Sequence, residues 1–233
     1  MLPVITNSVQ VNNGLGVVVT RQAILRIVPT RTPAPTSTPT LTPTPTVMPT
    51  PTATPTPGPE PMKLATGSDD WASSQGVRGW WYVDGPNGNW GDQSNMQWDP
   101  SLRSQYPDDC PGGCWRSNFN RDFARLNRYG GHPGKDHYVG KRWVSPITGW
   151  VRVIITAYKI DRGGNGVTLR FMQDGEVLET IGLDGNQGIG RLVRWVSDDI
   201  SITAGSWLML ALESNGNTDH DLTAFDMMIL RLP

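Results

Sequence analysis

The sequence predicts an all-β protein: a jelly-roll-like β-sandwich over residues 63–233, preceded by a polyproline II Thr/Pro stalk and an N-terminal β-strand segment. Three observations carry this. Trp150-Val151-Arg152-Val153-Ile154-Ile155-Thr156-Ala157-Tyr158 is long and rich in β-branched residues. Val167 to Gln173 alternates, Asp174-Gly175 supplies a two-residue turn, and Glu176 to Ile181 returns, which is a hairpin pattern. The block lacks helical periodicity, and Gly- and Asn-rich turns recur between its strands.

Residues 1–28 are strand-like. Leu2 to Thr6 is short and apolar, Val17-Val18-Val19-Thr20 is β-branched, and Ala23 to Val28 continues apolar, with a turn signal at Asn12-Asn13-Gly14. Two strands alone are marginal in water, so these need a sheet to join. Val4, Ile5, Val17, Val18, Val19, Ile24 and Ile27 are the side chains expected to dock.

Residues 29–62 alternate proline with threonine. Proline fixes φ and removes a backbone donor, so neither helix nor sheet ladder forms there, and an extended polyproline II rod is expected. At about 3.1 Å per residue, some thirty residues span roughly 100 Å. Thr36, Thr38, Thr40, Thr42, Thr44, Thr46, Thr50, Thr52, Thr54 and Thr56 are candidate O-glycosylation sites. An undecorated spacer is the plainer reading. The chain has no Asn-X-Ser/Thr sequon.

In residues 63–233, the stretch 71–140 is loop-rich and holds six of the ten tryptophans: Trp71, Trp80, Trp81, Trp90, Trp98 and Trp115. Asn118 to Tyr129 is expected to form one short helix. Leu192 to Val196, Trp207 to Leu212 and Thr223 to Leu230 complete the strands, with Leu208, Leu210 and Leu212 on one face. Charge is balanced: Arg21, Arg26 and Arg31 less Glu60 give +2 before Lys63, and the whole chain carries −1, leaving −3 after it. Nothing in this pattern fits a nucleic-acid surface or a polybasic membrane patch. No apolar run of about twenty residues is present to span a bilayer. Met1-Leu2-Pro3 opens without a secretory leader pattern, so the numbering is expected to start after a removed leader or inside an incomplete gene product. Cys110 and Cys114 flank a Pro-Gly-Gly loop, where a disulfide fits an oxidising compartment and a zinc half-site is the rival. The expected location is extracellular or at the cell surface.

Asp70-Trp71-Ala72-Ser73-Ser74-Gln75-Gly76-Val77-Arg78-Gly79-Trp80-Trp81-Tyr82 resembles the opening of a bacterial extracellular β-sandwich module. The resemblance continues at Gly131-His132-Pro133, Arg142 to Gly149, Asp161 to Val167, Ile202 to Gly205 and Asn215 to Asp226. Such modules look like jelly-roll carbohydrate-binding modules of secreted polysaccharide-active enzymes and surface proteins. The resemblance therefore implies a jelly roll and, more loosely, a glycan ligand. The Trp90–Trp115 stretch reads as an insertion of its own. Leu2-Pro3-Val4-Ile5 resembles apolar segments beside Thr-Pro stalks in bacterial surface proteins.

The chain carries no nucleophile elbow, zincin or Walker motif. His132, His137 and His220 are expected to be structural or exposed, and no catalysis is expected. Asp161 with Asn165, and Asn217, Asp219 and Asp221 with Asp226, are oxygen-rich turn clusters that suit Ca²⁺, although tight turns need the same residues. Sugar binding would rest on Trp81, Tyr82, Trp90, Trp98 and Trp115, with core packing as the competing role. Trp80, Trp143, Trp150, Trp195 and Trp207 are expected to pack.

A third role follows from the geometry of the chain. A sandwich of this size is only on the order of 40 Å across, so a stiff stalk makes docking onto a neighbour natural. Repeated head to tail, that contact yields a filament of copies of the chain. The leading expectation is accordingly a fibre or pilus-like subunit with a glycosylated stalk. The alternative is a tethered carbohydrate-binding module or adhesin.

Overall fold

The computed structural model describes residues 5–12, 18–25, 59–119, 124–187 and 191–233. Two strands, β1 (Ile5–Asn12) and β2 (Val18–Leu25), form a two-stranded antiparallel sheet running from Ile5 opposite Leu25 to Asn12 opposite Val18. Ile5, Val18, Val19 and Ile24 lie in these strands, and β1 extends past the apolar start to Asn12. Val4, Val17, Ile27 and all the candidate stalk threonines lie outside the described residues.

The second unit begins with β3 (Met62–Thr66), β4 (Trp80–Pro86), β5 (Ser94–Asn95) and β6 (Gln97–Asp99). One helical turn, α1 (Leu102–Gln105), precedes β7 (Cys114–Arg116), β8 (Arg125–Leu126) and β9 (Gly130–His132). Then follow β10 (His137–Val144), β11 (Gly149–Lys159), β12 (Val167–Gln173) and β13 (Glu176–Leu183). The chain closes with β14 (Val193–Val196), β15 (Ile200–Ile202), β16 (Trp207–Ser214) and β17 (Thr223–Arg231). They build an antiparallel β-sandwich. One sheet has the order β13-β12-β16-β10-β4-β5 and the other β14-β11-β17-β9-β8-β7-β6, with β15 beside β11 and β3 beside β17.

Period-two alternation explains the interior. Val151, Val153, Ile155 and Ala157 of β11 face Leu208, Leu210 and Leu212 of β16, and all are buried. Trp80, Tyr82, Trp143, Phe171 and Phe225 fill the space between the sheets, each large ring contributing roughly 1.5–3 kcal/mol on burial. Asp174 (φ 49°) and Gly175 (φ 95°) make the tight turn between β12 and β13, as both central residues of a type I′ turn require positive φ. Trp195 and Trp207 are half-buried against core clusters, whereas Trp150 is 54% exposed, because position 150 falls on the outward phase of β11.

One expectation is corrected. Asn118 to Tyr129 does not form one helix: Arg125 and Leu126 lie in β8, whose buried Leu126 packs in the core while Arg125 pairs with Asp109 at 2.8 Å. Burial of two consecutive residues in an extended strand outweighs the weak helical propensity of that stretch. The tryptophan-rich stretch from Trp90 to Trp115 adds strands to the edges of both sheets, β5 to one and β6 and β7 to the other.

Polar anchors hold this loop-rich half. Gln75 accepts from Tyr82 N at 2.8 Å and donates to Tyr82 O at 2.8 Å and Met96 O at 3.1 Å, acting as a surrogate strand neighbour. Buried Asp84 accepts from Ser94 Oγ at 2.5 Å, from Asn118 N at 2.9 Å and from Ser117 Oγ. Lys141 points into the interior, fully buried, and donates to Arg128 O at 2.9 Å and Phe225 O at 3.3 Å.

Loss of hydration pushes the Lys141 pKa down from 10.5 to about 8, against the pull of Asp226. Between those two values the folded chain binds fewer protons than the unfolded one, so stability rises with pH across that window and is flat below it. Urea midpoints of the native protein minus those of Lys141→Met, measured from pH 7 to 10.5, should show that rise. A flat difference would mean that the ammonium is not desolvated.

Candidate functional site

A cavity of about 450 Å³ opens beside the insertion strands. Its apolar lining comes from Trp71, Trp98, Tyr129, Tyr158 and Ile160, and its polar lining from Asp108, Asp109, Asn127 and Arg128. Ala224 also lines it, and Pro111-Gly112-Gly113 form one wall.

The aromatic lining is held from below. Tyr82 and Trp115 are buried in the core with stacked rings at 4.8 Å. Trp71 sits edge-on to Tyr82 at 4.5 Å, and Trp98 edge-on to Trp115 at 5.6 Å and to Trp71 at 6.2 Å. Trp115 Nε1 donates to Ala72 O at 3.0 Å, and Ala72 N donates to the Tyr82 hydroxyl at 3.3 Å, so the segment bearing Trp71 is pinned at two points.

The wall is a closed turn. Cys110 and Cys114 are joined by a disulfide and buried against Leu102 and Tyr106. Gly113 has φ 104°, and a Cβ there would lie 2.8 Å from the Trp98 ring, so only glycine lets the wall approach that indole. On the opposite side, buried Asn127 accepts from Tyr129 N at 2.8 Å and Gly130 N at 2.7 Å, which shapes a turn that leaves Tyr129 62% exposed. Arg128 Nε donates to Ser68 O at 2.8 Å, and its guanidinium lies 5.6 Å from the Tyr129 ring centre. Lys141 holds the Arg128 carbonyl from the interior.

The five aromatic candidates therefore separate. Trp98 lines the cavity, while Tyr82 (0% exposed) and Trp115 (3%) are core residues whose faces no ligand reaches. Trp81 and Trp90 lie elsewhere, on the outer face of the six-stranded sheet, covering buried Val83, Tyr138, Met172, Met209 and Ala211. There Arg142 sits between Trp81 (5.8 Å) and Trp207 (5.9 Å), and Trp90 packs on Tyr138 at 5.0 Å. Sequence reasoning missed Trp71, Tyr129 and Tyr158 as lining residues. A usable signal existed for Tyr129, an aromatic beside Asn127 and Gly130 in a turn.

The two loops that carry most of the candidate calcium ligands touch each other. The loops holding Asp161 and Asn165 and those holding Asn217, Asp219 and Asp221 meet, with Asn165 Nδ2 donating to Asn215 O and Asn215 Nδ2 to Asn165 O at 3.3 Å. Asp226 is not among them; it accepts from Ser68 N at 3.1 Å and Ser68 Oγ at 2.5 Å. The positive charge at the junction belongs to Lys159, fully buried, which donates to His220 O at 2.6 Å and Gly163 O at 3.2 Å and lies 3.7 Å from Asp221. Burial raises the Asp221 pKa to about 6, against the pull of Lys159. Among the described residues no group of three or more His, Cys, Asp or Glu side chains is arranged to hold a metal. His132 is buried with Nδ1 2.9 Å from Pro133 O, and His137 stacks on Phe119 at 5.0 Å.

No protein-family model and no curated protein matches the chain. Solved structures give only distant likenesses. Two structures of a family 35 carbohydrate binding module from Clostridium thermocellum align at 12% identity over 50% of this chain and 85% of theirs, TM-score 0.30, and at 13% over 64% and 92%, TM-score 0.29. Rabbit GITRL aligns at 9% identity over 66% of this chain and 94% of its own, TM-score 0.28. Likeness at this level carries no argument about the present chain.

With a lysine ammonium already seated among the loop oxygens, EDTA is expected to leave the melting midpoint unchanged. A midpoint lowered by EDTA and restored by Ca²⁺ would place an ion in these loops after all.

Proposed function

We propose that this chain is a secreted, non-catalytic carbohydrate-binding protein whose sandwich holds a glycan in the Trp71–Trp98 cavity. The observation that carries this reading is the convergence of Trp71, Trp98, Tyr129 and Tyr158 on one hollow beside Asp108, Asn127 and Arg128. A pyranose presents an apolar C–H face to an aromatic ring and hydroxyls around its edge, which carboxylate, amide and guanidinium groups can bind. The volume of about 450 Å³ lies within the roughly 300–1,000 Å³ common for ligand pockets. Export is supported by the Cys110–Cys114 disulfide, and no helix among the described residues is long and apolar enough to cross a membrane.

Affinity electrophoresis against soluble polysaccharides tests the site. Trp98→Ala and Tyr129→Ala are expected to weaken binding at least about tenfold, equivalent to about 1.4 kcal/mol. Trp81→Ala and Trp90→Ala should leave it unchanged. If the latter pair abolishes binding and the former does not, the glycan lies on the outer sheet face and the cavity is not the site.

The second reading is assembly, favoured by the β1–β2 sheet. Two strands in isolation are marginal in water, so this pair gains from a partner sheet, and a copy of the chain could provide one. Removing residues 1–28 should then abolish polymers while sugar binding persists; a chain that stays monomeric with the segment intact overturns this reading.

A further inference from the structure

Beyond the cavity, past Tyr129 and Tyr158, a second hollow of about 250 Å³ is lined by Thr156, Leu192, Phe225 and Asp226. It shares Tyr129, Tyr158 and Ala224 with the cavity, so the two are consecutive stretches of one surface. At that volume the second hollow is too small to be a typical ligand pocket by itself, but it suits an extension of one. Between them Tyr129 stands 62% exposed, and Ala224 is a small residue that keeps the passage low.

The charges along this surface are also informative. Asp109 is paired with Arg125 at 2.8 Å, whereas Arg128 lines the first hollow with its charge intact, its Nε donating to Ser68 O. Exposed Asp108 and partly buried Asp226 add carboxylates, one on each hollow. Arg128 offsets Asp108 on the first hollow, and Asp226 on the second lies within electrostatic reach of buried Lys141, so the lining is near charge balance.

We infer that the two hollows form one groove that binds several consecutive sugars of a glycan chain rather than a single sugar. The inference rests on the glycan reading above and adds the length of the ligand. Calorimetric titration of the full chain with xylo-, cello- and manno-oligosaccharides of two to six units, and with oligogalacturonates, tests it. In a series that binds, the affinity should rise at least tenfold from the shortest to the longest ligand. Thr156→Trp and Leu192→Trp, which fill the second hollow from two different elements, should remove that rise and leave disaccharide affinity unchanged. Melting midpoints report whether either variant is misfolded, and Leu192, 58% exposed, is the safer of the two. Length-independent binding that Trp98→Ala abolishes would overturn the groove and keep the glycan reading. So would a length-dependent rise that persists in both folded variants. Absence of binding to all series would overturn both readings.

Discussion

The cavity depends on one stacked pair of rings. Tyr82 and Trp115 belong to different sheets, β4 in one and β7 in the other, and they meet face to face at 4.8 Å inside the sandwich. Trp71 and Trp98 contact these two rings edge-on, so their positions in the cavity are inherited from core packing. Interiors at crystal-like density transmit such constraints with little slack. A ligand-facing aromatic fixed in this way gives up little side-chain entropy on binding, which is where preorganised sites gain affinity.

The same economy applies to the buried charges. Lys141 and Lys159 are both fully buried lysines, and each ammonium donates to two backbone carbonyls from different loops or strands. Carbonyls in irregular segments otherwise need water or ladder partners. Lys141 fixes the turn that carries Arg128 and Tyr129, and Lys159 joins the Gly163 loop to the His220 turn. Asp84 does the corresponding work for backbone and hydroxyl donors at the insertion. These side chains stand in where the irregular half lacks regular strand neighbours.

How much of this was legible in the sequence follows from the kind of signal each part leaves. The β12–β13 hairpin was readable because Asp174-Gly175 satisfies a turn geometry that few residue pairs can. The shared face of Leu208, Leu210 and Leu212 was readable because strand period is two. The cavity was only partly readable, because Trp98 and Trp115 sit one strand apart and look alike in composition. The pairing of Trp98 opposite Trp115 puts both indoles on one face, and Trp98 is left half-buried because β6 is the edge strand while β7 lies inside it. Lys141 was invisible as an interior residue for a similar reason: a lysine in a strand is normally on the outward phase.

The pairing of β3 with β17 has a mechanical meaning. Met62 lies opposite Arg231 and Thr66 opposite Met228, so the chain enters the sandwich at the far end of β17 from Ala224 and Asp226, which border the groove. A pull on the chain before Met62, opposed by something held at the groove, therefore acts along these two strands. Their cross-strand hydrogen bonds stand perpendicular to that load and share it simultaneously, instead of breaking one after another. The attachment is built to be sheared, which resists tension far better than a seam that unzips.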